Sequence, residues 1–349
     1  MRVIAAFSSD FREQYKADIF KVLSLPEGDV VHFRYKKKYV EPAIYQQRQS
    51  MVGRDVFIYF TQGNVAQTDQ DKKLKHTSIR RAKIVAFDWS EMTELYHVRM
   101  ELGDYINANI RDEGDEGLYF KYIECDDVDY YSNWRSRVYK VKDAFPDMVF
   151  YSIEGIFDSK GKMVIPKYNP QSKGCFYEVY HGDRYTVNLR LANLDDSRKK
   201  IFMTCNPDDV VISHCNPIES SVEFDDIFVP LNIKTVPFFK HSNFLSYRIV
   251  SNEKDTSSVK ATEDISEKKD EEKNNNTSFD LYTVSQELSL RLNLKSALAF
   301  GFLCVMAFLA VAFSSDKEIT VVLPYVKIAV SAILVFISTT GLFYFFNKK

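Results

Sequence analysis

The sequence predicts a mainly β chain: two β-rich domains, the second sandwich-like, with one or two helices, ending in a C-terminal α-helical transmembrane hairpin. Three observations lead there. Tyr and Phe are abundant, 21 and 27 residues of 349, and aromatic side chains favour strands over helical bundles. Short apolar runs recur between turn signals through most of the chain. Two longer apolar runs, Ser296–Phe313 and Ile328–Phe346, carry no charge at all, and each approaches the ~20 residues that cross a bilayer as a helix.

Taken in order, Met1–Phe7 reads as a short strand. Ser8, Ser9 and Asp10 offer N-caps for a helix through Leu23, with Phe11, Tyr15 and Ile19 four apart on one face. Pro26-Glu27-Gly28-Asp29 is a turn. Val30–Val40 alternates: Val31, Phe33, Tyr35 and Tyr39 lie opposite His32, Arg34, Lys36 and Lys38, and Lys37 breaks the apolar face. Asp55–Phe60 is apolar on both faces and predicts a buried strand. Ala82–Trp89 and Leu95–Leu102 look like a further pair. These elements define a first domain over 1–115.

A second domain is expected over 116–250. Leu118–Cys125 predicts a strand, and Tyr131, Trp134, Val138 and Val141 recur at helical spacing. Met148–Phe157 and Lys162–Ile165 flank the hairpin turn Asp158-Ser159-Lys160-Gly161. Strands then follow at Phe176–Tyr180, Tyr185–Leu191, Ile201–Thr204, Val210–Ser213, Ser221–Phe224, Ile227–Ile233 and Phe244–Val250. Such spacing suggests a β-sandwich. Residues 251–280 are Lys, Glu, Asp, Asn, Ser and Thr with little to bury, and read as a disordered charged linker. Residues 281–349 are expected to form a juxtamembrane helix, or one lying along the interface, followed by the hairpin.

Charge places the hairpin. Arg291 and Lys295 precede the first run, Lys348 and Lys349 follow the second, and Ser314–Glu318 is a polar loop between them. Lys and Arg mark the cytoplasmic side, so both ends are expected in the cytoplasm. The N-terminus shows no secretory pattern, VIAAF being followed at once by polar and charged residues. Five scattered cysteines suit a reducing compartment. A net charge of -2 argues against a molecule built wholly for nucleic-acid binding.

Catalytic signatures are missing: there is no GxSxG, HExxH, GxGxxG or paired CxxC. Gly155 to Gly161-Lys162-Met163 is one residue too long for a phosphate loop and lacks its Ser/Thr. Cys205, His214 and Cys215 do not form the two close pairs of a structural zinc site. The Asp pairs 195–196, 208–209 and 225–226 read as turns. No enzyme activity, metal or cofactor is expected.

The basic strand is the candidate partner site. His32, Arg34, Lys36 and Lys38 could neutralise phosphates of a nucleic acid, a nucleotide or anionic headgroups, or simply protect a solvated edge strand from pairing. Arg80, Arg81 and Lys83 form a second, weaker basic group. In the hairpin, Ala297 and Gly301 on the first helix and Ser338 and Gly341 on the second are candidates for close helix packing, within the hairpin or between copies.

This domain order over the whole chain, with the hairpin at Ser296–Phe346, resembles the two-transmembrane effectors of bacterial antiviral systems, especially those attached to retrons. The resemblance implies a toxin of the inner membrane, held inactive by a reverse transcriptase and its RNA–DNA product. The basic strand would be the docking face, and copies would self-associate in the lipid bilayer on activation. The alternative is a scaffold or adaptor whose hairpin is a passive anchor.

Overall fold

The computed structural model describes residues 1–63, 74–112, 114, 117–145, 150–171, 173–180, 182–192, 194, 199–206, 210–212, 218–220, 223–233, 243–250 and 285–293. Over these the chain is mainly β, with few helices and open sheets. The expected hairpin and the whole of the charged linker lie outside the described residues, as do Ala297, Gly301, Ser338 and Gly341.

The first seven strands are β1 (Arg2–Ser9), β2 (Val30–Lys36), β3 (Asp55–Gln62), β4 (Lys75–Ser90), β5 (Leu95–Tyr105), β6 (Asn107–Asp112) and β7 (Phe120–Asp129). They form one sheet in the order β2-β5-β4-β3-β1-β7-β6. Only β1 and β3 run parallel within it, Ile4 opposite Val56 and Phe7 opposite Tyr59. The sheet passes the boundary expected at residue 115, because β7 pairs with β1 from Arg2↔Glu124 to Ala6↔Phe120. Its far edge curls back: Ile106 N donates to Ile79 O at 3.1 Å, and Ala108 N to Ser78 Oγ at 2.9 Å. A small core of Val3, Ala5, Phe7, Phe57, Tyr59 and Ile123 fills the inside of that curl.

The other face of this sheet carries the main core. Helix α1 (Glu13–Ser24) lies between β1 and β2 in sequence and contributes Ile19, Phe20, Val22 and Leu23. The N-cap expected at Ser8–Asp10 is not there. Both serines belong to β1, Asp10 accepts from Gly63 N, and the cap position is Arg12 without a side-chain bond. Phe11 consequently stays outside the helix, 51% exposed. Two short helices, α2 (Pro42–Gln46) and α3 (Arg48–Met51), lead into β3, whose six central residues are all buried as its two-sided apolar pattern requires. Helix α4 (Trp134–Val141) follows β7; Asn133 caps it by accepting from Ser136 N at 2.9 Å.

The remaining strands are β8 (Phe150–Asp158), β9 (Met163–Val164), β10 (Lys167–Asn169), β11 (Gly174–Tyr180), β12 (Arg184–Ala192), β13 (Lys199–Asn206), β14 (Val210–Ile212), β15 (Ile218–Ser220), β16 (Phe224–Ile233), β17 (Asn243–Val250) and β18 (Ser285–Asn293). They make a five-stranded sheet, β14-β16-β12-β8-β9, and a six-stranded one, β10-β11-β18-β17-β13-β15. The predicted hairpin at Asp158 is present: its Oδ1 accepts from both Lys160 N and Lys162 N at 2.9 Å. Asp225 and Asp226 are not a turn. They lie in β16 opposite Leu191 and Arg190, and Arg190 and Arg135 approach Asp226 at 3.5 and 3.8 Å. Tyr151, Ile153, Val187, Leu189, Val229 and Leu231, with Tyr177 and Val179 of β11, belong to the same core as α1 and the first sheet. Met1–Leu292 is therefore one compact unit.

Two features correct the expected C-terminal organisation. Ser285–Asn293 is a strand, not a juxtamembrane helix: β18 pairs antiparallel with β17, Arg248↔Ser285 through Asn243↔Leu290. Its residues Leu288-Ser289-Leu290-Arg291-Leu292 alternate with period two, the strand pattern rather than the helical one. The charged segment therefore lies in sequence between two strands that are neighbours in one sheet. It does not join the sheets to the first apolar run. Only Leu294 and Lys295 separate β18 from Ser296.

Candidate anion-binding face

β2 is an edge strand, paired only with β5. Its alternation is as the sequence predicts: Val31, Phe33 and Tyr35 are buried, and His32, Arg34 and Lys36 are exposed. The strand ends at Lys36, so Lys38 leaves the row. Lys37–Tyr39 forms a 3-10 turn in which Lys37 Nζ lies 5.3 Å from the Tyr45 ring centre and Lys38 Nζ 4.9 Å from that of Tyr39. The break at Lys37 is the end of the strand itself.

The neighbouring strand extends the site. Register sets His32 opposite Arg99, Arg34 opposite His97 and Lys36 opposite Leu95. β4 then sets Asp88 beside His97. Directly paired residues share a face, so two histidines and two arginines project together. His32 Nε2 and His97 Nδ1 are 2.9 Å apart, with the rings stacked at 5.0 Å and 20°. Thr93 Oγ1 lies 3.5 Å from His97 Nε2. Asp88 accepts from Arg99 at 3.1 Å and from Lys173 at 3.2 Å, the latter reaching over from the β10–β11 turn. Among the described residues neither Arg34 nor Lys36 makes an ion pair.

The electrostatics follow from this crowding. Desolvation by the surrounding side chains, then the charges of Arg99, His97, Arg34 and Lys21, pull His32 down to about 4. His97 is lowered too, by desolvation and by Arg99 and Arg34. Asp18 on α1 is pushed up to about 6 because burial outweighs the pull of Lys21 and Arg34. The imidazole pair is thus neutral at pH 7 inside a ring of fixed cations.

A shallow cleft of about 490 Å³ adjoins this face and shares Asp88 and Lys173 with it; Val52, Ile84, Val85, Ala86, Tyr168 and Pro170 supply its apolar wall. A second cleft, of about 580 Å³, lies at the ends of β12 and β16, where Asp183 and Arg184 are its only charged residues. Among the described residues, no group of three His, Cys, Asp or Glu side chains could hold a metal ion. Cys205 lies in β13, while His214 and Cys215 are outside the described residues.

No protein-family model and no curated protein matches this sequence.

The second basic group divides. Arg81 and Lys83 are on the surface, Arg81 pairing with Asp104 at 3.6 Å. Arg80 is 2% exposed and faces inward. It donates to Gly103 O at 2.7 Å, Leu25 O at 2.7 Å and Val22 O at 3.2 Å, with its guanidinium 4.4 Å from the Tyr105 ring centre. Val22 O would ordinarily accept from residue 26, which is Pro and has no N–H. Arg80 takes that place, and Tyr105 Oη donates to Leu23 O at 2.8 Å. A sheet cation therefore caps the C-terminal end of α1, where positive charge is favoured.

Reading the sequence alone located His32, Arg34 and Lys36 but not His97, Arg99, Asp88 or Lys173. The alternation of β5 already put His97 and Arg99 on one face. Their meeting with β2 depends on strand order, which alternation does not specify.

Proposed function

We propose that this chain is a membrane-anchored effector of the antiviral, abortive-infection type. Its sandwich-like cytoplasmic β body docks a partner through the β2–β5 face, and its C-terminal hairpin perturbs the bacterial inner membrane on release. The observation that carries the reading is the pair of charge-free apolar runs at Ser296–Phe313 and Ile328–Phe346, two residues beyond the last strand of a sheet. A passive anchor does not require that closeness; an effector that must move its hairpin when its body changes partners is served by it. Two residues extend no more than ~7 Å, so the first apolar run begins close to β18 along the chain. Among the described residues no helix is long and apolar enough to cross a membrane, and both runs lie outside them. The resemblance to retron effectors points to a reverse transcriptase with its RNA–DNA product as the proposed partner of the basic face.

The test is membrane potential in bacteria expressing the full chain alone, beside a chain ending at Asn293. Truncation must fall there, since removing residues from 281 onward would take β18 out of its sheet. Rapid depolarisation with the full chain, lost on truncation and weakened by Gly301→Leu with Gly341→Leu, supports the effector. A normal potential with the full chain, together with unchanged partner capture by both chains, overturns it in favour of a scaffold.

A further inference from the structure

We infer that the β2–β5 face binds a phosphate dianion together with a proton, which enters the His32–His97 pair. The inference rests on reading this face as the docking surface and adds the chemistry of what it holds. The two rings are 2.9 Å apart, nitrogen to nitrogen. As neutral imidazoles they share one N–H···N bond, one ring donating and the other accepting. When His32 donates through Nε2, its Nδ1 carries a lone pair, and His97 Nε2–H points to Thr93 Oγ1. A proton added at His32 Nδ1 leaves the shared bond intact and turns the pair into a cation with an outward donor.

The groups around the pair decide when that happens. Lys21 acts on the pair from α1, Arg34 from β2, Arg99 from β5, Asp88 from β4 and Lys173 from the β10–β11 turn, while Asp18 on α1 is drawn to Lys21 and Arg34, and Lys36 and Glu101 lie further along the paired β2 and β5. Asp88 is the acid beside the rings, and it is already shared between Arg99 and Lys173. Unliganded, burial first and the surrounding cations second hold the pair neutral. A phosphate dianion seated between Arg34 and Arg99 cancels their field and supplies acceptor oxygens for a protonated ring, as charge-assisted bonds to phosphate require. Anion and proton then favour each other, and each raises the affinity for the other by the same factor. A plain row of lysines would bind phosphate without this coupling.

Inorganic pyrophosphate is the probe, titrated into the full chain in detergent micelles with its histidines isotopically labelled. The His32 midpoint should rise from about 4 to within reach of pH 6.5, roughly two pH units or more, with pyrophosphate affinity tightening as pH falls from 7.5 to 5.5. For a single linked proton the gain is at most about tenfold per pH unit. Calorimetry at pH 6.5 in two buffers of different ionisation heat should show more proton uptake for the native chain than for His32→Gln, the variant subtracting the proton exchanged by pyrophosphate itself. His32→Gln should still bind through Arg34 and Arg99 but keep only the probe's own pH dependence, and Arg99→Gln should weaken binding at every pH. Salt-sensitive binding with the same pH and buffer dependence in the native chain and His32→Gln overturns the proton coupling while leaving the docking face standing. No binding of pyrophosphate at low salt overturns both.

Discussion

Replacing Arg80 by Met should cost a large part of the stability of the β body. Met keeps most of the aliphatic stem, so the change isolates the guanidinium. Arg80 supplies the donors that Gly103 O, Leu25 O and Val22 O accept in a site 2% exposed, and Pro26 cannot replace it at Val22. Hydrogen bonds to a charged group are each worth about 1.5–3 kcal/mol. Three are lost together, and neighbouring losses do not add fully, which gives about 3–5 kcal/mol, in the range of other broken buried networks. Against a total of about 5–15 kcal/mol that is a fifth or more. Urea denaturation of the full chain in detergent, followed by the fluorescence of Trp89 and Trp134, reads it. Tyr105→Phe removes the bond to Leu23 O and the longer contacts of the same hydroxyl with Ser152 Oγ at 3.4 Å and Arg80 Nη1 at 3.5 Å, and should cost about 1 kcal/mol. The double variant should lose less than the sum, because Arg80 Nη1 also donates to Tyr105 Oη at 3.5 Å, a contact that either substitution removes. A loss below about 1 kcal/mol for Arg80→Met would refute the capping argument and show that α1 ends without it.

Gly28→Ala should destabilise by about 1–3 kcal/mol in the same denaturation assay. Gly28 has φ +83, and an added Cβ would meet Pro166 Cγ at 2.9 Å; an unchanged midpoint would mean that the Pro166 loop yields freely. Asp29 is buried, bonded to Val30 N at 2.7 Å and Tyr177 Oη at 3.3 Å, with its carboxyl raised by burial. Between its unfolded value and that raised one the folded state binds more protons, so stability from this group is present at low pH and falls as pH rises through the folded value. Asp29→Asn should flatten that slope in melting temperature measured from pH 4 upward, and a retained slope would assign it to another group.

Legibility in the sequence followed the range of the interaction. Val30–Lys36 and Asp55–Phe60 were readable because burial of one face or both is written into alternation within a few residues. The cap of α1 was misread because Ser8, Ser9 and Asp10 are good N-cap types in any context, and pairing of β1 with β3 as far as Ser9↔Thr61 claimed the serines first. β18 was missed since its alternating leucines run straight into an apolar stretch, which made a longer helix look continuous. Arg80 looked like a surface charge, because nothing local distinguishes it from Arg81; one residue of alternation and a distant Pro26 separate their fates. The basic site was half legible for the same reason. β2 announced its own cations, but the partner histidine and arginine arrive only through a strand order that brings β5 alongside.

The position of β18 also sets an order of events during synthesis. It is an inner strand, between β11 and β17, yet it is the last strand made. Until residues 285–293 leave the ribosome, β11 and β17 each lack a neighbour, although every other strand of the sheet has been available for some time. Translation at about 5–20 residues per second brings the run Ser296–Phe313 out within seconds of β18. Completion of the sheet and emergence of the first apolar run are therefore nearly simultaneous. A chain that stops before residue 285 leaves β11 and β17 without the strand between them. Folding of the body and emergence of its apolar tail share a single window in time.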